Sequence, residues 1–98
     1  MTHVSDYDVI WRDAAKHGRA GRLDEAESLA RHALARAPTR PEAFVVLAAI
    51  AECRNRTDEA QEYLRAALVF APTHPPAHAS LARLTRLGAA RAPLWGDE

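Results

Sequence analysis

A spacing of 34 residues governs this chain. Shifted by 34, Arg22 falls on Arg56, Asp24-Glu25-Ala26 on Asp58-Glu59-Ala60, and Arg31 on Arg65. Ala33-Leu34 falls on Ala67-Leu68, and Ala37-Pro38-Thr39 on Ala71-Pro72-Thr73. These are ten identities in eighteen positions, where so Ala- and Arg-rich a composition would give roughly two by chance. Upstream, Ala14-Ala15 falls on Ala48-Ala49; a third copy begins with Pro41 on Pro75, Ala43 on Ala77, and Leu47-Ala48 on Leu81-Ala82. A recurring unit of this size cannot bury its apolar face alone, so it must stack on its own copies.

The punctuation recurs with the same period. Ser5, Thr39 and Thr73 each precede a helical pattern and are expected to cap it. Asp8 and Glu42 follow the first two by three residues, which makes Thr39–Glu42 a capping box and Ser5–Asp8 its shorter analogue. Pro41 and Pro75 suit a first turn, where a missing N–H costs nothing, and Pro38 and Pro72 close the preceding helices. Five helices are predicted, roughly 6–18, 23–37, 40–54, 57–71 and 74–87, with reversals at 18–21 and at Asn55-Arg56. Leu23, Ala26, Ala30, Ala33, Leu34 and Ala37 form one apolar stripe, and Ala60, Tyr63, Leu64, Ala67, Leu68 and Ala71 another. The expected layout is a tail at 1–5, repeats at 6–39 and 40–73, a half repeat at 74–87, and a tail at 88–98.

Composition agrees and narrows the function. The chain has 98 residues, enough for one domain or a piece of a longer array, and little interior for a deep cofactor pocket. Ala, Arg and Leu, all good helix formers, dominate, and β-branched residues are few. Thirteen basic and thirteen acidic side chains cancel, which argues against nucleic-acid binding as the main task. A lone cysteine, Cys53, excludes an internal disulfide and fits a reducing cytoplasm. The longest apolar stretch, 43–51, is too short to cross a bilayer, and the first residues do not read as a signal peptide.

The residues of the two copies, taken jointly, resemble the tetratricopeptide repeat, in the form of a small bacterial-type protein of that family. Gly21-Arg22-Leu23-Asp24-Glu25-Ala26, Ala33 and Pro38 match the family pattern once. Phe44, Leu47, Ala48, Ala60, Ala67 and Pro72 match it again, with Asn55 in place of the usual Gly. The resemblance covers about residues 6–87 and implies an all-α, right-handed α-solenoid of antiparallel helix pairs, about two and a half repeats in five helices. The first helix departs from it. Ile10 takes the usual Trp position, Trp11 comes one later, Asp13 replaces a Leu, and Gly18 falls in the last turn. That helix is expected to start late, shift register or fray.

The resemblance also implies a concave face lined by the first helix of each pair. Carried over by position, it would present Trp11, Arg12, Ala15 and Arg19, then Val45, Val46, Ala49, Glu52 and Cys53, then Ala79, Ser80, Arg83 and Arg86. An apolar centre flanked by Arg suits an extended or helical peptide with acidic groups. Relatives that grip a C-terminal carboxylate use Lys, Asn and Arg where this chain has Trp11, Ala15, Val46, Pro76 and Ser80, so that role is not expected. Trp11 is either a binding residue or a buried anchor, and Val45 and Val46 are partly structural on the second reading.

The far end is a second surface. Leu84 and Leu87, with Leu94 and Trp95 after Pro93, are apolar. Either the tail folds back over the open end, or it docks on another chain and makes a homo-oligomer. Chemistry is sparse. His74 and His78 have a metal-compatible spacing but no carboxylate or thiol beside them, and Cys53 has Arg54 and Arg56 near it, which would lower its pKa, without a His or Asp partner. No phosphate loop is present, so no cofactor, metal or catalytic residue is expected. The expected role is a cytoplasmic protein- or peptide-binding module, an adaptor or assembly chaperone that binds neither nucleic acid nor membrane. The alternatives are an accessory subunit of a modifying or biosynthetic enzyme and a self-associating scaffold.

Overall fold

The computed structural model describes residues 6–87 and 93–96. Among them are five helices and no strand: α1 (Asp6–Arg19), α2 (Leu23–Arg36), α3 (Glu42–Cys53), α4 (Thr57–Phe70) and α5 (Pro75–Leu87). All five predicted helices are present. α1 packs on α2 and α3 on α4 as two helical hairpins, α2 also meets α3, α4 meets α5, and α1 lies beside α3. This is a helical-repeat stack with α1, α3 and α5 as the first helices of successive units.

The turns repeat as closely as the letters. After α1, Gly21 adopts φ +85°, and after α3, Asn55 adopts φ +60°. Both positions need the left-handed region, which Gly enters freely and Asn better than most residues. Around them the same two bonds form: Arg22 N–H to His17 O and Gly21 N–H to Gly18 O, then Arg56 N–H to Ala51 O and Asn55 N–H to Glu52 O. This is the Schellman pattern, which satisfies the last carbonyls of each helix.

The helix starts differ from expectation. Pro41, not Thr39, occupies the cap position of α3, and no side chain caps it. His74, not Thr73, occupies the equivalent place before α5, where its carbonyl accepts from the His78 N–H. Ser5 lies outside the described residues. The capping box fails because Glu42 is drawn elsewhere: the Tyr7 hydroxyl donates to its carboxylate at 3.1 Å, and Arg40 pairs with it at 3.7 Å. The same Tyr7 oxygen accepts from the Ala43 N–H at 2.9 Å. An orphan donor at the start of α3 is thus satisfied by α1 from the neighbouring repeat.

Nor does α1 start late or fray. Tyr7, Trp11, Ala14, Ala15 and Gly18 are buried along one continuous stripe, a regular 3.6-residue period. Its register is that of α3. Ile10 and Phe44 are both half-buried, while Trp11 and Val45 behind them are both buried. What moved is the large residue, not the helix.

Small residues set the helix spacing. Ala14, Ala15, Ala26, Ala30, Ala33, Ala49, Ala60, Ala67 and Ala77 are all completely buried. At these crossings a methyl lets two helix axes come within about 8–10 Å. α3 is the centre of the stack. Nine of its twelve residues are buried, as expected of a helix covered on nearly every side. Its apolar residues divide between two cores, one with α1 and α2, the other with α4 and α5.

Candidate functional site

The face formed by α1, α3 and α5 is not open: residues 93–96 of the same chain lie on it. Trp95 is buried and belongs to the core cluster that holds Trp11, Ala15, Val46 and Ala49. Its indole rests on Gly18. A Cβ at Gly18 would lie 2.2 Å from Cζ3 of the ring, 2.5 Å from Cη2 and 2.8 Å from Cε3. No side chain larger than hydrogen can stand there while Trp95 is in place. Gly96 follows with φ +100°, and a methyl on it would meet Trp11 Cζ3 at 3.5 Å and Val45 Cγ1 at 3.7 Å. The tail backbone therefore runs over both residues.

The rest of the site is anchored from α1. The Trp11 indole N–H donates to Asp8 at 3.1 Å, which fixes the ring, and the Arg12 guanidinium stands 5.3 Å from the ring centroid. Burial pushes the Tyr7 phenol well above its ordinary range, against the lowering pull of the Ala43 N–H. The tail does not fill the face. An open cavity of about 380 Å³ remains between Pro75, Pro76 and Ala79 of α5 and Leu94 and Gly96 of the tail.

Magnitudes show how firmly this segment is held. A Trp side chain buries about 150–250 Å², worth roughly 4–6 kcal/mol at 25 cal/mol per Å². Ordering four residues costs about 1–2 kcal/mol each. The two are of similar size, so docking of the tail gains at most about 2 kcal/mol.

α5 closes the other half of the face by charge. Arg83 donates to Glu52 Oε1 at 2.5 Å, with side-chain exposures of 9% and 1%. Burial raises the Glu52 pKa above the usual carboxylate value, and Arg83 pulls it back only in part. Among the described residues, Glu52 Oε2 and Ser80 Oγ are buried without a hydrogen-bond partner.

These contacts revise what the sequence led one to expect of the surface. Trp11, Ala15, Val45, Val46, Ala49, Glu52 and Ser80 were expected to face a partner, yet all seven are buried in the closed chain. Glu52 and Arg83 hold each other. Arg12, Arg19, Ala79 and Arg86 are exposed. The apolar end, expected either to be covered by the chain's own tail or to meet another chain, is not displayed: Leu84 and Trp95 are buried within this chain, and Leu94 is half-buried at the cavity. The Leu87 side chain and residues 88–92 lie outside the described residues.

Cys53 also departs from expectation. The residue is exposed, and partial burial of its sulfur and then the Glu52 charge raise its pKa, while Arg54 pairs with Glu27 and Asp24, 2.6 Å from each. His78 Nε2 lies 2.5 Å from the Pro72 carbonyl, and no cluster of three metal-ligating side chains occurs among the described residues. No helix among them is long and apolar enough to cross a membrane.

Reading the sequence missed the role of Gly18 and the cavity against Pro75 and Pro76. Gly18 was legible only as part of the reversal at 18–21, in the last turn of α1, and its close approach to a distant segment left no separate mark.

Two helical hairpins on a 34-residue period, followed by a fifth helix and closed by matched turns, define a helical-repeat protein. A family model for the tetratricopeptide repeat matches residues 19–84, and the chain belongs to that family. Comparisons with curated proteins and with solved structures returned no match. Repeats of this family generally mediate protein–protein interaction.

Proposed function

We propose that this chain is a binding module that holds an extended segment of a partner protein on the face of α1, α3 and α5, as an adaptor or assembly chaperone. One observation carries the reading: a non-helical piece of polypeptide, residues 93–96, already lies there with its tryptophan buried. Exposed Arg12 and Arg86 at the margins favour a partner with acidic groups flanking its apolar anchor. The burial of Leu84 and Trp95 in the chain's own core counts against a self-associating scaffold.

The test is copurification of the full chain from its native cell, followed by mass spectrometry. The double variant Arg12→Glu, Arg86→Glu is compared with a control, Arg65→Glu, on the exposed side of α4. The partner should be lost with the double variant and kept with the control. Equal recovery in both would place binding elsewhere.

A further inference from the structure

Resting on that reading, we propose that the face is selective for a tryptophan-bearing extended segment, and that residues 93–96 are an internal competitor which such a segment displaces. Three observations converge. Gly18 stands within α1, where an ordinary helix former such as Ala would be favoured, and the space so freed is occupied by one indole ring. The ring is buried and belongs to the apolar core cluster that also holds Trp11, Ala15, Val46 and Ala49, residues of two helices. Beside it, the cavity of about 380 Å³ against Pro75, Pro76 and Ala79 is left open by Leu94. The internal segment thus supplies the anchor and underfills the site. A partner that carries the same anchor and a bulkier neighbour gains contacts the tail does not make. The partner chemistry is an apolar residue larger than Leu, then Trp, then a residue small enough to pass over Trp11 and Val45, where Gly96 now lies.

The experiment uses the full chain and a synthetic peptide of residues 92–98, Ala-Pro-Leu-Trp-Gly-Asp-Glu. A tethered tail competes at an effective concentration on the order of millimolar, so the peptide should bind Trp95→Ala about tenfold or more tightly than wild type. The peptide with Trp replaced by Ala should not bind either protein. The peptide with Leu replaced by Phe should bind Trp95→Ala more tightly than the parent. Gly18→Ala should release Trp95, read as a rise in acrylamide quenching, and weaken the peptide by about tenfold or more, while helicity by circular dichroism is kept or raised. If Trp95→Ala loses its helicity, N-acetyl-tryptophanamide titrated into wild type replaces that arm, and it should shift the Gly18 amide signal.

Equal affinity for both proteins, or a Gly18→Ala chain that keeps Trp95 shielded, would overturn the proposal. Tail exchange that yields a dimer by light scattering would overturn it in favour of a second copy. A native partner that depends on Arg12 and Arg86 yet resists competition by the peptide would leave the binding face standing and sink the selectivity for tryptophan.

Discussion

The two hairpins share a backbone and differ at the positions that matter. Tyr7, Gly18 and Gly21 of the first stand 34 residues ahead of Pro41, Glu52 and Asn55 of the second. At the first pair, Tyr7 reaches across to the Ala43 N–H, whereas Pro41 holds the cap position of its own helix. At the middle pair, both residues face the covered side. Gly18 admits an indole by having no side chain, while Glu52 meets Arg83 with a buried charge. Only the third pair is nearly interchangeable, because a left-handed turn asks for conformation and little else. A repeat therefore fixes the scaffold and leaves its inner positions free to diverge, and here the C-terminal part of the chain covers two divergent positions by different physics.

Breaking the charged half should cost most. Arg83→Met leaves Glu52 buried without its cation, a loss of about 3–5 kcal/mol at neutral pH by urea denaturation. The effect has a definite sign with pH. The Glu52 pKa is already raised in the fold, so its stabilising share is complete below the ordinary glutamate value and is lost as pH rises through the folded value. Without Arg83 that folded value climbs further, and the variant should regain stability on acidification to about pH 5 relative to wild type. A variant equally destabilised at both pH values would mean that Glu52 is not the group left stranded.

Tyr7→Phe comes next. It strips the Ala43 N–H of its acceptor and Glu42 of a donor, and should cost about 1–2 kcal/mol by denaturant titration. A neutral result would show that water replaces the hydroxyl and that the two hairpins are tied by apolar contact alone.

The turn pair should give the smallest effects and the sharpest contrast. Nothing lies within 4 Å of a methyl placed on Gly21, so Gly21→Ala measures backbone strain alone, about 1 kcal/mol in the shift of the urea midpoint. Asn55→Gly should change stability by about 0.5 kcal/mol or less, since Asn already tolerates the left-handed region. If the Asn55 change exceeded the Gly21 change, the two turns would not be equivalent.

Much of the scaffold was legible because it is local or periodic. The stripes of Ala26, Ala30 and Ala33 and of Ala60, Leu64 and Ala67 predicted buried faces that are buried. Gly21 and Asn55 predicted reversals because few residues adopt a positive φ cheaply. The starts of the helices were less legible. Thr39 carried the right side chain for a cap, but Glu42 and Ala43 found partners on α1 that no local pattern announces. The candidate site was half legible. Trp11, Val46 and Ala49 do lie together, and Trp95 was noticed as apolar, yet nothing in the spacing joined Trp95 to Gly18.

By itself, then, the sequence determined the repeat, the number of helices, their turns and the small residues at their crossings. Each depends on backbone propensity or on a period, and both are written in neighbouring residues. Only the tertiary structure decided what covers α1 and α3. The indole on Gly18, the Glu52–Arg83 pair and the Tyr7 bond join segments far apart in the chain. Such contacts depend on shape and charge in space, which no period records.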